Sequence, residues 1–251
     1  MLESPLKVMA AVLALAGSAA CSGDFVGPQA DDPIGVSAPS HDVIDDLAAG
    51  IPAGVAGDVF LLAPVGAEAG GPDLFDATLA DLLTVDVCRG DVGACTTVTT
   101  LDADAAGAAR LRIPDGEAYY LTVFGTSALE PGNDYAIVVR LPELRLGVAR
   151  LSVDARGQIT SEASGRRLGR VNARVPVRVR IHDNPVIRVR ALTVRGATAT
   201  EIAGVLQEEF GTTAEEAAGL LEAEAFSSVD VAAALSAVYG RGAADAAAVL
   251  L

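Results

Sequence analysis

Few residues of this chain are of the types that catalyse reactions at neutral pH. Its two histidines are His41 and His182, and neither is accompanied by a serine or cysteine nucleophile motif. The sequence also lacks a glycine-rich loop of the kind that binds phosphate. Asp42, Asp45 and Asp46 adjoin His41, which leaves a metal site as an alternative, but a solvated acidic linker is the better interpretation. We therefore expect a protein that is not an enzyme and that needs no cofactor or metal.

Carboxylates are abundant, with 33 acidic residues in 251. Two carboxylates suffice for glycoside hydrolysis, so a carboxylate-dependent hydrolase acting on glycans stays open as an alternative. The absence of Trp weighs against it, because a glycan cleft would ordinarily offer aromatic platforms.

The three cysteines indicate an oxidising compartment. Cys88 and Cys95 stand symmetrically at the base of a glycine-containing loop between two strand-like runs, which predicts a hairpin closed by a disulfide. A CxxC metal or redox site needs closer spacing and more ligands. Cys21 is then left over, which is unusual in such a compartment unless its sulfur is modified.

The N-terminus has the features of an export signal. An apolar run from Val8 to Gly17 follows Lys7, and this run is too short to span a bilayer, which needs about 20 residues. The small residues that lead into Cys21 resemble a bacterial lipobox, with Ser18 where that family usually has Leu. The resemblance predicts lipidation of Cys21, and Ser22 after it favours the outer membrane. Ordinary cleavage, giving a secreted or periplasmic protein, is the alternative.

The predicted cysteine loop contains Arg89, Gly90 and Asp91. This is the tripeptide that integrin-binding loops present at a hairpin tip, so an RGD-type adhesin is a second alternative. Asp and Gly are also the residues that a tight turn favours.

The charge changes sign twice along the chain. The net charge is −15. The sequence is acidic up to Val139, rich in arginine from Arg140 to Arg195, and acidic again from Gly196 onward. A net acidic protein argues against nucleic acid as the partner.

Alternating apolar and polar residues predict antiparallel strands from about Asp58 onward. The clearest strand is the run ARVPVRVRI, residues 173–181, whose valines and Ile181 face one way and whose arginines face the other. Because Pro176 donates no hydrogen bond, this strand is expected at a sheet edge. The run Ile187–Ala191 repeats the alternation after the Asn184-Pro185 turn and is expected to be another strand.

The arginines of these two runs form a candidate binding site for an acidic glycan or a lipid phosphate. The alternative, which we favour, is a strand face that is solvated or paired internally. The arginines concerned are Arg174, Arg178, Arg180, Arg188 and Arg190.

Several motifs occur in an order that resembles a known domain: the Cys-loop-Cys hairpin, PDGEAYYLTV, LEPGNDYAIVVR, RLGVARLSVDARG and ARVPVRVRI. This order is similar to that of an Ig-like extracellular domain of uncharacterised bacterial surface lipoproteins. The resemblance implies an Ig-like antiparallel β-sandwich over about half of the chain, and it implies no activity. The chain departs from the family pattern in lacking Trp and in having Ala136 where the family has Arg.

The C-terminal region shows a periodic pattern of helix starts. Thr198, Thr213, Ser227 and Gly242 are each followed three residues later by an acidic residue, and the first two form capping boxes. The pattern predicts four short helices in two hairpins. We expect these acidic helices to lie against the arginine face.

The sequence therefore predicts a mainly β protein, an Ig-like antiparallel β-sandwich followed by a small region of α-helical hairpin repeats. The expected function is that of a lipid-anchored or secreted envelope protein acting as a non-catalytic binding or structural module. Its expected partners are the membrane, through the lipid anchor, and an unknown protein or glycan. The predicted regions are a signal peptide at 1–20, a flexible acidic tether at 21–57, the sandwich at 58–195 and the helical repeats at 196–251.

Overall fold

The computed structural model describes residues 58–66, 74–90 and 92–242. All of these residues belong to one compact unit. The predicted signal peptide, Cys21, the predicted tether, Asp91 and the fourth predicted helix lie outside the described residues. No helix within the described ranges is long and apolar enough to cross a membrane.

The described residues form strands up to Ile181 and α-helices after it, so the mainly β prediction with a helical C-terminal region is confirmed. The strands are β1 Val59–Leu62, β2 Thr84–Arg89, β3 Thr96–Leu101, β4 Tyr120–Gly125, β5 Asp134–Leu141, β6 Leu144–Val153, β7 Gln158–Ser161, β8 Arg167–Arg170 and β9 Arg174–Ile181. The helices are α1 Pro185–Val194, α2 Ala199–Phe210, α3 Ala214–Ala223 and α4 Ser228–Tyr239.

The strands form two antiparallel sheets. One has the order β1-β9-β4 and the other the order β3-β2-β5-β6-β7-β8. Side chains of both sheets, such as Val177 and Ile137, belong to one hydrophobic core. The strand order differs from that of an immunoglobulin constant domain, in which the first, second, fourth and fifth strands share a sheet. Here the first and last strands pair with each other.

The prediction that the run 173–181 is an edge strand is wrong, because its residues from Arg174 onward form β9, which is the central strand of the three-stranded sheet. Pro176 is nevertheless compatible with this position. Strand β1 pairs with β9 only from Arg178 to Ile181, so Pro176 lies beyond the end of β1. On that side no neighbouring strand requires an N–H group from Pro176.

The prediction of a strand at Ile187–Ala191 is also wrong, because these residues lie in α1. Asn184 caps the helix by accepting hydrogen bonds from the N–H groups of Val186 and Ile187, and Pro185 occupies the first turn.

The alternation in this run arises because α1 is buried on two sides. Ile187 and Ala191 pack into the core of the sheets, whereas Val189 packs into the core of the helices. Residues two apart on a helix point about 200° apart, since each residue turns the helix by about 100°. In a helix that lies between two cores, buried residues can therefore recur at every second position, as they do in a strand.

The three remaining helices begin where the capping pattern predicts. Thr198 and Thr213 form complete capping boxes with Glu201 and Glu216, and Ser227 accepts a hydrogen bond from the N–H group of Asp230. Gly211 caps the C-terminus of α2 and Gly240 that of α4, both in the left-handed conformation that glycine adopts without strain. These helices share a second core.

Candidate functional site: the charged contacts of helix α1

Among the described residues, the densest group of charged side chains surrounds Arg188 of α1. Its Nη2 lies 3.0 Å from Asp183 Oδ1, 3.5 Å from Glu209 Oε2 and 3.9 Å from Asp76 Oδ2. Its Nη1 donates a hydrogen bond of 3.1 Å to Thr78 Oγ1. Only 16% of the Arg188 side chain is exposed. One guanidinium therefore joins the segment before β2 to the end of α2.

Asp76 is the most buried carboxylate of this group, with 1% of its side chain exposed. Its Oδ1 accepts hydrogen bonds from the N–H and Oγ1 of Thr78, but its Oδ2 has no hydrogen-bond partner among the described residues. Arg188 lies closest to this buried oxygen as a compensating charge. Removing one partner of such a pair leaves an uncompensated buried charge, which is strongly destabilising.

Tyr120 holds the same segment from the sheet side. Its hydroxyl donates a 2.5 Å hydrogen bond to the carbonyl of Asp76 and accepts one of 3.0 Å from the N–H of Leu79. Burial raises the pKa of Tyr120 well above its usual value. The hydroxyl therefore stays protonated and serves as a fixed structural contact.

Arg190 makes a second bridge from α1. Its Nε lies 3.0 Å from Glu224 Oε1 and its Nη1 lies 3.6 Å from Glu143 Oε2, in the turn between β5 and β6. Only 8% of the Glu224 side chain is exposed. Burial raises the pKa of Glu224, and the nearby Arg190 opposes that shift.

Glu209 and Glu224 lie at the same distance from the residues that cap the starts of α2 and α3. Glu209 lies eleven residues after the cap Thr198, and Glu224 lies eleven residues after the cap Thr213. The expected contact between acidic residues of the helices and arginines is therefore present. The arginines that make it, however, lie on α1 and not on a strand.

Arg195, at the end of α1, adds a third contact to the segment before β2. Its Nη2 donates 2.6 Å hydrogen bonds to the carbonyl of Thr78 and to Asp81 Oδ1. The hydrogen bond from Arg195 holds the pKa of Asp81 below its usual value. Arg188, Arg190 and the capping residue Arg195 thus connect α1 and its end to the segment before β2, to the β5–β6 turn and to the ends of α2 and α3.

The five arginines predicted to form one row are divided between two elements. Arg174 is exposed at the start of β9. Arg178 donates from Nη1 to the carbonyl of Ala63 at 3.2 Å, and Arg180 donates from Nε to the carbonyl of Ala118 at 3.0 Å. The guanidinium of Arg178 also lies 5.7 Å from the ring centroid of Tyr119. Arg188 and Arg190, in contrast, lie on α1.

The predicted disulfide is absent from the structure, because Cys88 and Cys95 are free thiols. The register shifts between Val87 and Cys88, which places Cys88 opposite Thr97, whereas Cys95 precedes β3. Cys88 is buried. Burial raises the pKa of its thiol to about 12, with a further contribution from a hydrogen bond to Cys95.

The candidate adhesion tripeptide begins within a strand. Arg89 is the last residue of β2, and its Nη1 lies 2.6 Å from Glu130 Oε2. The N–H of Gly90 donates to the carbonyl of Asp134 at 3.0 Å. Asp91 lies outside the described residues. Arg89 and Gly90 are therefore bound to a neighbouring turn and strand.

His182 packs within the fold. It follows β9 directly, is 8% exposed, and its ring centroid lies 4.7 Å from that of Phe60. Its Nδ1 lies 3.9 Å from Asp58 Oδ1, and Asn184 donates to Asp58 Oδ2 at 2.6 Å. Among the described residues, no group of three or more His, Cys, Asp and Glu side chains is arranged to hold a metal ion.

The sequence interpretation missed one structural device at Tyr135. Its hydroxyl accepts a 2.7 Å hydrogen bond from the N–H of Glu130, five residues upstream. A tyrosine hydroxyl bonded to the backbone a few residues upstream also occurs in immunoglobulin-like sandwiches, where it is called the tyrosine corner. The available signal was the tyrosine placed shortly after the Pro131-Gly132 turn.

No protein-family model, no curated protein and no solved structure matches this chain.

Proposed function

We propose that this chain is a cell-envelope protein, anchored by a lipid on Cys21 or secreted, that acts as a non-catalytic binding or structural module. The observation that carries the proposal is the position of Cys21. It follows directly on small residues and on an apolar run that is too short to span a bilayer. By the resemblance of Ser22 to the sorting position of such lipoproteins, the anchor lies in the outer membrane.

An Ig-like sandwich in the broad sense is part of this proposal. Two antiparallel sheets with a shared core and the tyrosine corner at Tyr135 support it. Sandwich domains of several families share this architecture without sharing strand order or sequence. The helices that follow the sheets are proposed to be hairpin repeats.

The roles of the charged residues support a structural interpretation. Arg188, Arg190 and Arg195 each contact a carboxylate of another element, and these contacts connect the helices, the sheets and the intervening segments. Contacts within the fold therefore explain the charged groups around α1, and no bound substrate is needed to explain them.

Fractionation of host cells tests the proposal. Wild-type protein is expected in the membrane fraction and released only by detergent, whereas Cys21→Ser is expected in a soluble fraction. Cys95→Ser is the matched control and is expected to remain in the membrane. If Cys21→Ser fractionated like the wild type, the anchor would be disproved. If uncleaved wild-type protein were found in the cytoplasm, export itself would be disproved.

A further inference from the structure

One edge of the six-stranded sheet is rich in arginine. Strand β8, which forms this edge, begins with Arg167 and ends with Arg170. Residues 144–174, from β6 to the start of β9, contain seven arginines and only two carboxylates, Asp154 and Glu162, although the whole chain has a net charge of −15. Positive charge is therefore concentrated on one part of a protein that is acidic as a whole.

A shift of register brings both arginines of β8 to one face of the sheet. Gln158 lies opposite Arg170, and Thr160 lies opposite Arg167. Gln158 and Thr160 are two residues apart on β7, so their side chains point to the same face, and those of the arginines opposite them do so too. Ile159, between them, is 0% exposed and points into the core. The arginines therefore lie on the outer face of the sheet.

Strand β6 adds a third arginine and a hydroxyl group to this outer face. Ser152 lies opposite Thr160, and Arg150 is two residues before Ser152 on β6, so both point outward. From the spacing of strands and of residues along them, the three arginines spread over an area of about 10 by 13 Å. We call the surface formed by Arg150, Arg167 and Arg170 the basic face.

The three guanidinium groups of the basic face make no ion pair and no hydrogen bond to any described residue, and all three arginines are exposed. Glu162 donates its N–H to the carbonyl of Arg150 at 3.0 Å, but the two side chains form no ion pair. The hydroxyl groups of Ser152 and Thr160 likewise have no hydrogen-bond partner among the described residues. The arginines of α1, in contrast, meet carboxylates within the fold. The basic face is therefore available to an external partner.

The chemistry of the basic face favours an acidic polysaccharide as that partner. Guanidinium groups bind carboxylates in a bidentate manner, and the two hydroxyl groups can exchange hydrogen bonds with sugar hydroxyls. A membrane is disfavoured because the large apolar side chains that are exposed in the described ranges, Leu74, Val194 and Val229, lie outside these strands and cannot insert into a bilayer here. Nucleic acid is disfavoured because β6, β7 and β8 contain no aromatic residue on which a base could stack.

We propose that the basic face binds an acidic polysaccharide, with sugar carboxylates on its three arginines and sugar hydroxyls on Ser152 and Thr160. The proposal rests on the role of a binding module proposed above, for which it names the class of partner, and it does not depend on the lipid anchor. Recognition through charge needs no aromatic platform, so the absence of Trp does not count against it. Because the arginines are exposed, binding should weaken as the salt concentration rises.

Binding of polygalacturonate to the purified full-length protein tests the proposal, with uncharged dextran as the control polymer. The wild type is expected to bind polygalacturonate and not dextran. The double variant Arg167→Glu with Arg170→Glu should bind polygalacturonate about ten-fold more weakly or worse, because repulsion replaces two charge-assisted contacts. Since neither side chain has a partner in the fold, urea unfolding should show wild-type stability for this variant.

The matched control is the double variant Arg110→Glu with Arg112→Glu. It changes the net charge by the same amount at two exposed arginines of the segment before β4, and it should leave the affinity nearly unchanged.

A further variant, Thr160→Val, tests the contact with the sugar itself. It should weaken the binding of polygalacturonate about three-fold, through the loss of one hydrogen bond, and leave unchanged the binding of polyacrylate, which has carboxylates but no hydroxyl groups.

Four results would overturn the proposal. The first is that the wild type does not bind polygalacturonate, and the second is that both double variants lose affinity equally, since net charge alone would then be responsible. The third is that the protein binds phosphatidylglycerol vesicles or single-stranded DNA more tightly than polygalacturonate. The fourth is that Thr160→Val affects both polymers equally or neither. None of these results depends on where the protein resides in the cell, so failure of this proposal is distinct from failure of the anchor.

Discussion

Replacing Arg188 with alanine should destabilise the protein more than any exposed ion pair can explain. The Asp76 side chain is 1% exposed, and its Oδ2, which lacks a hydrogen bond, lies 3.9 Å from Arg188. Loss of the arginine leaves a buried carboxylate without a compensating charge, which costs about 3 to 5 kcal/mol. Asp183 and Glu209 are 38% and 46% exposed, so their pairs contribute only about 0 to 1 kcal/mol each. We therefore expect a loss of about 3 kcal/mol or more.

Urea unfolding of matched variants measures this effect. Arg241→Ala removes an arginine whose pair with Glu215 is 42% and 55% exposed, and it should cost about 1 kcal/mol or less. The combination Asp76→Asn with Arg188→Met removes both charges of the buried pair and should recover most of the loss. If Arg188→Ala cost no more than Arg241→Ala, or if the double variant were as unstable as Arg188→Ala, the reasoning would be refuted.

Three further predictions concern single groups. Burial raises the pKa of Glu224, so the wild type should gain stability relative to Glu224→Gln as pH falls from 7 toward 4.5, the ordinary pKa of Glu in the unfolded chain. Unfolding of both proteins as a function of pH checks this, and a difference in unfolding free energy that stays constant with pH would contradict it. Cys88 should react with iodoacetamide at pH 8 far more slowly than Cys95, because it is buried and its pKa is raised to about 12. Peptide mapping by mass spectrometry measures both rates, and equal rates would contradict the burial of Cys88. Tyr120→Phe removes two buried hydrogen bonds and should lower the free energy of unfolding, measured in urea, by about 2 kcal/mol. Tyr119→Phe is the control and should lower it by about 0.5 kcal/mol or less, so equal losses would contradict the role of the Tyr120 hydroxyl.

The helix starts were predictable because capping is a local property. A threonine hydroxyl and a glutamate three residues later satisfy the free amides of one turn, as at Thr198 and Glu201, whatever the helix packs against. The positions of many strands were predictable for a similar reason, since period two reflects one buried face.

Helix α1 shows where this reasoning failed. The alternation from Ile187 to Ala191 has the period of a strand, but it results from a helix buried between two cores. The local sequence did contain the contrary signal, because Asn184 followed by Pro185 is a common start of a helix. Period two alone does not distinguish a half-buried strand from a helix buried on opposite sides.

The candidate site was beyond the reach of local patterns. The contacts of Arg188 with Asp76 and Glu209 join residues that are far apart in the sequence, and only the fold brings them together. The central position of β9 likewise depends on β1, which pairs with it from the other end of the described chain. The spacing of Cys88 and Cys95 suggested a bond, but the shift of register at Cys88 depends on how β2 and β3 pair.

Export and lipid anchoring are tested most directly by the intact mass of the protein isolated from fractionated host cells. If Cys21 is lipidated, the chain begins at Cys21 and carries the added mass of acyl chains on that residue, and Cys21→Ser lacks this addition. An unmodified mass that includes residues 1–20 would contradict both export and anchoring.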